Sequence, residues 1–358
     1  MPVVRGGFRP NPNHEADMSR PTTLFLSAGI IFLLLIFFLL SVALFWVSPA
    51  KKGAESEVIV IAEGAQPAQV SEELQRRGII SSKRLFMLWI RVLRLGKKIK
   101  AGEYSLGAGE SPAAILDKLT KGLILTHPFT VPEGFTRKQI AQLLSEKGLI
   151  GAEKFLSLTQ DPELLKRYDI PGANLEGYLF PDTYHFGKGV SVQTVVDTMV
   201  KRFLQLTAPL KKSAEESGMD MREVVILASI IEKETGLGDE RPLIASVFHN
   251  RLKKGMRLES DPTVIYGMDE FDGNLRKKDL TQESPYNTYV ISGLTPGPIC
   301  NPGFDSMKAV LFPAKTDYLY FVSRNDGSHH FSKTLAEHNR AVSIYQKKKG
   351  VTSSKKPS

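Results

Sequence analysis

The stretch ASIIEKETG, residues 228–236, places two glutamates one residue apart at the end of an apolar run. A carboxyl at the C-terminal end of a buried helix faces the negative end of the helix dipole and loses hydration to apolar neighbours. Both effects raise the pKa of such a carboxyl, and a glutamic acid that is protonated near neutral pH suits general acid catalysis. The alternative is a structural ion pair with Lys233 or Arg241.

A helix must position these two glutamates, and the sequence predicts it over MDMREVVILASIIEKETG, residues 219–236. Asp220 is a suitable N-cap, and the final glycine is a suitable stop. Nearly every position from 224 to 231 is apolar, which predicts burial on most sides. Glu232 and Glu234 each continue a line of apolar residues along this helix, so periodicity does not choose between them.

Three further segments are rich in polar and aromatic side chains, as the lining of a cleft is. NLEGYLFPDTYHF, residues 174–186, interleaves aromatic rings with carboxylates. A sugar offers a C–H face for stacking and hydroxyls for hydrogen bonds, so this composition fits a glycan ligand. The aromatic residues also alternate at period two, as in an ordinary half-buried strand, and both interpretations stay open. Residues 241–268 and 284–303 are the other two segments.

Histidines raise the question of a metal site, and four of the seven lie beyond residue 240: His249, His329, His330 and His338. No pair of them has a recognised zinc-ligand spacing. The chain also has no phosphate-binding loop and no dinucleotide fingerprint. We therefore expect a protein without metal or cofactor.

The segment from Leu24 to Val47 is 24 residues long without a charge. At about 1.5 Å per residue it can cross a hydrocarbon core of about 30 Å. A cleavable signal peptide is the alternative, but its apolar region is shorter, about 7–15 residues. Three arginines before the span against two lysines after it weakly favour a cytoplasmic N-terminus. The single cysteine, Cys300, leaves the redox compartment open.

A repeated unit follows the apolar segment. Residues 61–80 align with residues 131–150 at a constant offset of 70, and residues 109–124 form a looser copy. Each copy predicts a short strand, a helix and a glycine at the helix end. A small module of this size resembles LysM domains, which bind N-acetyl sugars, whereas a simple spacer is the alternative. The intervening KAGEYSLGAGES, residues 100–111, predicts a hairpin or turn.

The formal net charge is +9, and part of the excess is a lysine-rich C-terminal tail. Binding to nucleic acid would require basic residues clustered on one face of a recognisable module, and the sequence shows neither. The tail is better explained as a solvated, disordered end that contacts anionic lipid or nothing.

Seven motifs in chain order resemble those of the endolytic murein transglycosylase (YceG-like) family. They are EGYLFPDTY, ASIIEKET, SVFHNRL, GMRLESDPTVIYGM, SPYNTY, GLTPGPICNPG and YLYFVSRNDGSHHFSKTLAEHN. The resemblance implies a bacterial enzyme anchored in the inner membrane, with its catalytic domain in the periplasm, that cleaves nascent peptidoglycan strands to give 1,6-anhydro ends. It also implies that the first acid of the EKE motif, Glu232, is catalytic and that Glu234 is a structural neighbour.

The remaining motif residues would hold the glycan under the same resemblance: Glu176, Tyr178, Asp182, Asn250, Asp261, Tyr286, Asn287 and Tyr289. For Asn250 a helix cap, and for Asp261 a turn before Pro262, are the structural alternatives. The partners expected are peptidoglycan strands and, in the membrane, peptidoglycan synthases and division proteins.

The predicted fold is α+β with a single transmembrane helix, a LysM-like membrane-proximal subdomain and a mixed α/β catalytic domain. The expected ranges are a cytoplasmic tail (1–23), the span (24–47), the LysM-like subdomain (55–125), the catalytic domain (126–345) and a basic disordered tail (346–358). Two other functions stay open: a non-catalytic scaffold that binds cell-wall glycan, and a muramidase that hydrolyses its substrate with a second carboxylate.

Overall fold

The structure is a computed structural model that describes residues 20–51, 53 and 55–346, with side chains from residue 29 onward. The predicted cytoplasmic tail up to residue 19 and the basic tail from residue 347 lie outside the described residues. The chain divides into two compact units at Leu125, and each is described separately. The described part combines helices with three two-stranded antiparallel sheets, which agrees with the predicted mixture of helix and sheet.

The first unit begins with the long helix α1. Its elements are α1 (Arg20–Val47), β1 (Ser56–Ile61), α2 (Pro67–Arg76), α3 (Lys83–Val92), β2 (Gly102–Gly107) and α4 (Pro112–Lys121). The portion Gly29–Val47 is long and apolar enough to cross a membrane. Strands β1 and β2 pair along their whole length, from Ser56 opposite Gly107 to Ile61 opposite Gly102.

Strand β2 corrects one expectation from the sequence. Residues 100–111 predict a hairpin or turn, but residues 102–107 form a strand and the turn is confined to 108–110. Tyr104 and Leu106 point to one side of this strand and are both fully buried. The period-two signal of these two residues was concealed by the surrounding glycines and serines, which normally mark turns.

The core of the first unit includes the end of α1. Buried side chains of both strands and of α2, α3 and α4 form one cluster, and Phe45 and Trp46 of α1 pack against it. The ring of Trp46 stacks on that of Trp89 in α3, with centroids 4.6 Å apart. The last turn of α1 is thus part of the folded unit.

The second unit contains the remaining elements. They are β3 (His127–Thr130), α5 (Arg137–Glu146), α6 (Ala152–Leu158), α7 (Pro162–Arg167), β4 (Thr183–Phe186), α8 (Val192–Thr207), α9 (Leu210–Ser217), α10 (Met221–Glu234), α11 (Arg241–Lys253), α12 (Asp261–Tyr266), α13 (Phe304–Leu311), β5 (Tyr320–Ser323), β6 (His329–Ser332) and α14 (Leu335–Tyr345). Strand β3 pairs with β4, and β5 pairs with β6.

The sequence repeat corresponds to a repeated structure. Helix α5 has the bounds of α2 shifted by 70 residues, and both helices begin with a capping box that uses the equivalent glutamines, Gln69 and Gln139. After each helix a glycine adopts a left-handed conformation, Gly78 with φ 72° and Gly148 with φ 65°. Each of these two copies is a strand, a group of helices and a returning antiparallel strand, with one in each unit. The looser copy, residues 109–124, corresponds to α4 and the left-handed Gly122 of the first unit.

Helix α10 is the buried centre of the second unit. Asp220 caps it through a capping box with Glu223, as its sequence predicts. All residues from Val224 to Ile231 are buried, which agrees with the predicted apolar circumference. The helix ends at Glu234, two residues before the predicted glycine, because Thr235 is already extended with φ −143° and ψ 140°.

Candidate functional site

Glu232 and Glu234 lie at the end of α10 and point in opposite directions. Two residues along an α-helix correspond to a rotation of roughly 200°, so the two side chains enter different surroundings. Each surrounding is built from other elements of the second unit, and their chemistry differs.

Glu232 belongs to a network of charged and polar groups. Its Oε1 lies 3.2 Å from Arg241 Nη2, and its Oε2 accepts bonds from the Gly303 amide at 3.0 Å and the Ser306 hydroxyl at 2.7 Å. Only 5% of its side-chain surface is exposed. Both oxygens of this carboxylate therefore have protein partners, and one of them is Arg241, as in the structural ion pair that the sequence left open.

Arg241 joins a second carboxylate to the same network. Its Nη2 lies 3.2 Å from Glu133 Oε2, and desolvation together with the nearby charge of Glu232 raises the pKa of Glu133. A Cβ on Gly303 would lie only 2.0 Å from Glu133 Oε1, so a larger residue there would displace the Glu133 side chain from Arg241. The network thus fixes the loop before α13 against the end of α10.

The carboxyl of Glu234 has fewer polar partners than that of Glu232. The Ser260 hydroxyl donates a hydrogen bond to its Oε1, and this is its only hydrogen bond within the described residues. Desolvation by the surrounding protein raises the pKa of Glu234 to about 7; the charge of Asp261 acts in the same direction, and Arg251 opposes it. A carboxyl with this pKa is partly protonated at neutral pH, as a general acid must be.

A cavity of about 460 Å³ opens beside Glu234, and we call it the Glu234 cavity. Among its lining residues are Arg251, Glu259, Asp261, Tyr289, Tyr320, His329 and His338. Tyr289 donates a hydrogen bond of 2.6 Å to Asp261 Oδ1. Arg251 is held by the carbonyls of Leu258 and Leu319, and its guanidinium lies 5.2 Å from the centroid of the Tyr320 ring. Aromatic rings and hydrogen-bonding groups thus surround one ionisable carboxyl.

His329 is oriented towards this cavity by Glu240. Its Nδ1 lies 2.6 Å from Glu240 Oε2, and its backbone amide donates to Oε1 at 2.8 Å. Thr235, the residue after Glu234, donates to the same Oε2 at 3.3 Å. The pair of His329 and Glu240 is therefore connected directly to the end of α10.

A second cavity of about 580 Å³ contains Glu176, and we call it the Glu176 cavity. Desolvation raises the pKa of Glu176 to about 7, although the Arg137 amide, Asn301 and Tyr266 donate hydrogen bonds to the carboxyl. Helix α10 contributes Lys233 to this cavity, and α12 contributes Pro262, Ile265 and Tyr266. Since α10 and α12 also line the Glu234 cavity, the two cavities are neighbours.

The structure groups some of the predicted glycan-binding residues and separates others. Asp261 and Tyr289 meet in the Glu234 cavity. Tyr286 lies beside the Glu176 cavity, where its ring centroid is 4.9 Å from that of Tyr266, a cavity residue. Asp261 and Tyr289 thus lie beside the end of α10, whereas Tyr286 lies on the side of Glu176.

The other four predicted residues have protein partners or lie in the core. Tyr178 is buried against Phe203, and Asp182 forms an ion pair of 2.7 Å with Arg202. The Asn250 amide donates to the carbonyls of Thr316 and Tyr318, and the Asn287 amide donates to carbonyls of its own loop, such as that of Gln282. Their assignment to glycan stays a prediction, whereas these contacts organise loops. The segment 174–186 forms turns followed by the short strand β4, so the strand interpretation holds only for Thr183–Phe186 and glycan binding stays a prediction.

Ser260, Arg251, Glu240 and His329 were not predicted as site residues. Ser260 precedes a proline at the start of α12, which marks it only as a turn residue. Glu240 and His329 are 89 residues apart in the chain, and no local pattern connects them. In the described part of the chain, no group of three or more His, Cys, Asp or Glu residues is arranged to hold a metal ion.

A buried thiol lies behind the site. Cys300 donates to the carbonyl of Ser229 in α10 at 3.3 Å, and the Ser229 hydroxyl accepts from the Ile299 amide. Desolvation raises the pKa of the Cys300 thiol well above its usual range. These bonds hold the loop 284–303 against the helix that carries both glutamates.

A protonatable carboxyl beside a cavity with aromatic and hydrogen-bonding groups is an arrangement suited to general acid catalysis on a sugar. Residues 59–344 match the YceG-like family, and the chain belongs to this family.

Known relatives agree with the assignment to this family. The endolytic murein transglycosylase of Bacillus subtilis (strain 168) is 35% identical over 314 residues, which cover 83% of this chain and 87% of the relative. The enzyme of the same description from Streptococcus pneumoniae serotype 2 is 29% identical over 316 residues, covering 79% of this chain and 57% of the relative. A crystal structure of a yceG-like protein from Listeria monocytogenes is 35% identical, covers 80% of this chain and 98% of that one, and gives a TM-score of 0.57.

Proposed function

We propose that this chain is an endolytic murein transglycosylase that cleaves the bond between N-acetylmuramic acid and N-acetylglucosamine in nascent glycan strands. Curated relatives with that activity support the proposal, and one of them matches the chain over most of both lengths. The structural observation that carries it is the carboxyl of Glu234, whose pKa is raised to about 7 beside a polar cavity.

One carboxyl is sufficient for this reaction. Glu234 in its protonated form donates a proton to the glycosidic oxygen, and the bond from that oxygen to C1 of the muramic residue breaks. The carboxylate then accepts the proton of the muramic C6 hydroxyl, whose oxygen bonds to C1 and gives a 1,6-anhydro end. The nucleophile belongs to the substrate, so intramolecular geometry replaces a second carboxylate.

We place this acid at Glu234 rather than at Glu232, the residue that the family resemblance indicates. Glu234 lines a cavity and has a single hydrogen bond within the described residues, whereas the carboxylate of Glu232 is occupied by Arg241, Gly303 and Ser306. A glycosidic oxygen can therefore approach Glu234 without displacing a network of protein partners. In this proposal Glu232 stabilises the end of α10, and Glu234 acts as the general acid and base.

Two neighbouring cavities suit an enzyme that cuts within a strand. Endolytic cleavage requires sugars to be held on both sides of the broken bond. The Glu234 and Glu176 cavities share α10 and α12 as walls, and the first contains Tyr289 and Tyr320 while the second contains Tyr266 and Phe271. Such rings can stack on sugar faces to either side of the bond that is cleaved.

The rival reaction is hydrolysis, because Asp261 lies in the same cavity as Glu234 and could activate water. Digestion of purified sacculi in water labelled with heavy oxygen separates the two reactions. A transglycosylase gives 1,6-anhydro ends that are one water lighter than hydrolytic ends and carry no label. Label in the new ends would exclude the mechanism, and binding without release of soluble fragments would favour a non-catalytic scaffold.

The N-terminal apolar helix acts, in this proposal, as a retained anchor in the bacterial inner membrane, with the N-terminus in the cytoplasm and the enzyme in the periplasm. Phe45 and Trp46 at its end pack on the core of the first unit, and removal by signal cleavage would expose that core. Mass spectrometry of the mature protein tests this, since an anchor keeps the N-terminal residues that a signal peptide loses.

The first unit serves as a LysM-like glycan-binding module in the same proposal. Its order of strand, two helices and antiparallel strand supports this role, as does its place between anchor and enzyme. Peptidoglycan strands are then the partner of both units, with synthases and division proteins as neighbours in the membrane.

A further inference from the structure

Helix α3 has one face that is both basic and apolar. Arg84, Leu88, Arg91 and Val92 fall within roughly a third of the helix circumference, and all four are exposed. Phe86 and Ile90 lie on the opposite side, in the core. Of the two apolar residues on this face, Leu88 is 38% exposed and Val92 63% exposed. A helix on a soluble surface normally exposes polar residues at such positions.

All charged residues in the segment around α3 are basic. From Lys83 to Lys100 the chain carries seven basic residues and no acidic residue. Five of them have exposed side chains and no hydrogen bond or ion pair within the described residues: Arg84, Arg91, Arg94, Lys97 and Lys98. The exposed Leu93, 43% accessible, lies among them. This patch, residues 84–98, is therefore positive, apolar in part and free of internal charge compensation.

The position of the patch is fixed by the end of the apolar helix. Trp46, one residue before the end of α1, stacks on Trp89 of α3 with a centroid distance of 4.6 Å. Tryptophan is enriched at the boundary between hydrocarbon and water, and Trp46 lies at the corresponding end of the apolar segment. In a chain anchored by α1, helix α3 would therefore lie at the depth of the lipid headgroups.

We propose that the patch 84–98 binds the anionic headgroups of the membrane that the apolar helix spans, with Leu88, Val92 and Leu93 inserted between them. The inference rests on the proposed anchor. Basic residues close to an anionic bilayer each contribute about 1 kcal/mol of attraction, and arginine and lysine stems can pack along the apolar boundary. Membrane contact would then orient the first unit, not merely tether it.

The test uses the full chain reconstituted into vesicles of phosphatidylcholine with and without phosphatidylglycerol. Val92→Cys, labelled with a polarity-sensitive fluorophore, reports contact of the patch with lipid. We expect a blue shift with phosphatidylglycerol only, reversed by added salt because exposed charges are screened. Equal emission from both kinds of vesicle would overturn the proposal.

Two charge variants complete the test. Replacing Arg84, Arg91, Arg94 and Lys97 with glutamine should weaken docking about fivefold for each charge removed and so abolish the shift. The matched control replaces four exposed bases of the second unit, Lys147, Lys154, Lys166 and Arg167, and should retain it. Loss of the shift in the control, or its persistence in the patch variant, would contradict the proposal.

Flotation of each protein with its vesicles separates failure of the anchor from failure of the patch. All variants should float with both lipids if the anchor is inserted. The emission of the fluorophore then reports only whether the patch contacts lipid. A blue shift on addition of purified sacculi, but not of phosphatidylglycerol, would assign the surface to the cell wall instead and overturn the inference.

Discussion

Glu232 and Glu234 share a helix end but differ in what compensates their charge. If Glu234 is the acid and base, Glu234→Gln should lower the rate on sacculi by roughly 10²–10⁴-fold or more, because the amide does not transfer a proton. Glu232→Gln keeps the Glu234 carboxyl and should retain much more activity. The measurement is release of soluble fragments by the two variants at equal concentration.

Stability provides the control for this comparison. Glu232→Ala removes one of the two carboxylates that lie 3.2 Å from the nearly buried Arg241 and leaves only the half-exposed Glu133. Breaking a buried pair costs roughly 3–5 kcal/mol, and the remaining partner should keep the loss below that range. Glu234→Gln should cost little at neutral pH. If Glu232→Gln were folded and inactive while Glu234→Gln stayed active, the assignment would revert to the residue indicated by the family resemblance.

Two buried carboxyls should make folding stability depend on pH. The pKa of Glu234 and that of Glu176 are each raised to about 7 in the folded protein, against about 4.3 in an unfolded chain. The folded state therefore binds more protons between these values, and stability falls as pH rises from about 4.5 to 7. The loss is on the order of 3 kcal/mol for each carboxyl.

The double variant Glu176→Gln with Glu234→Gln tests this expectation. Urea unfolding at several pH values should show a much flatter dependence in the variant than in the unmodified protein. Parallel slopes for the two proteins would show that other groups govern the pH dependence.

At the scale of elements, the repeated module depends on a glycine after each helix. Gly148 has a φ of 65°, and no atom lies within 4 Å of the position that a Cβ would take. Alanine at this position would therefore meet no steric clash with neighbours, and its only cost would be the left-handed backbone conformation. We expect Gly148→Ala to destabilise the second unit by about 1–2 kcal/mol. Gly236→Ala is the control, because Gly236 also has open space but lies outside the left-handed region. Equal urea midpoints for the two variants would contradict the argument.

Capping residues and hydrophobic periodicity predicted the helices and strands better than they predicted the contacts between them. Asp220 and the apolar run after it specify both the start and the burial of α10, since capping and periodicity act over one or two turns. The four-residue strands β3 and β5 are too short for a reliable alternation, and β2 was concealed by glycine and serine.

The site was only partly predictable for the same reason. Asp261 and Tyr289 were found through their motifs and do meet at Glu234. The choice between Glu232 and Glu234 depends on Arg241, Gly303 and Ser306, and the last two lie about seventy residues away along the chain. Such long-range partners leave no periodic trace in the sequence.

At the scale of the whole molecule, both cavities belong to the second unit, so cleavage and glycan capture should be separable. A chain that begins at Thr126 should cut short soluble glycans at the same rate per molecule as one that begins at Ala43. It should bind sacculi more weakly, because it lacks the first unit.

The starting residue of the longer chain matters. It must retain Phe45 and Trp46, which belong to the core of the first unit, so a start at residue 51 would compromise that unit. Equal binding of sacculi by the two chains, measured by co-sedimentation, would favour the spacer interpretation of the first unit. Loss of cleavage in a folded second unit would show that the first unit contributes to the chemistry.

The chain's one thiol, Cys300, is fully buried, and desolvation disfavours its reactive thiolate form. Maleimide reagents should therefore leave the native protein almost unmodified. Cysteines introduced at exposed positions, such as Glu72 in the first unit and Lys154 in the second, become the only labelling sites without replacement of the native thiol. Spin labels at the two positions would then report the distance between the units before and after a glycan strand is added.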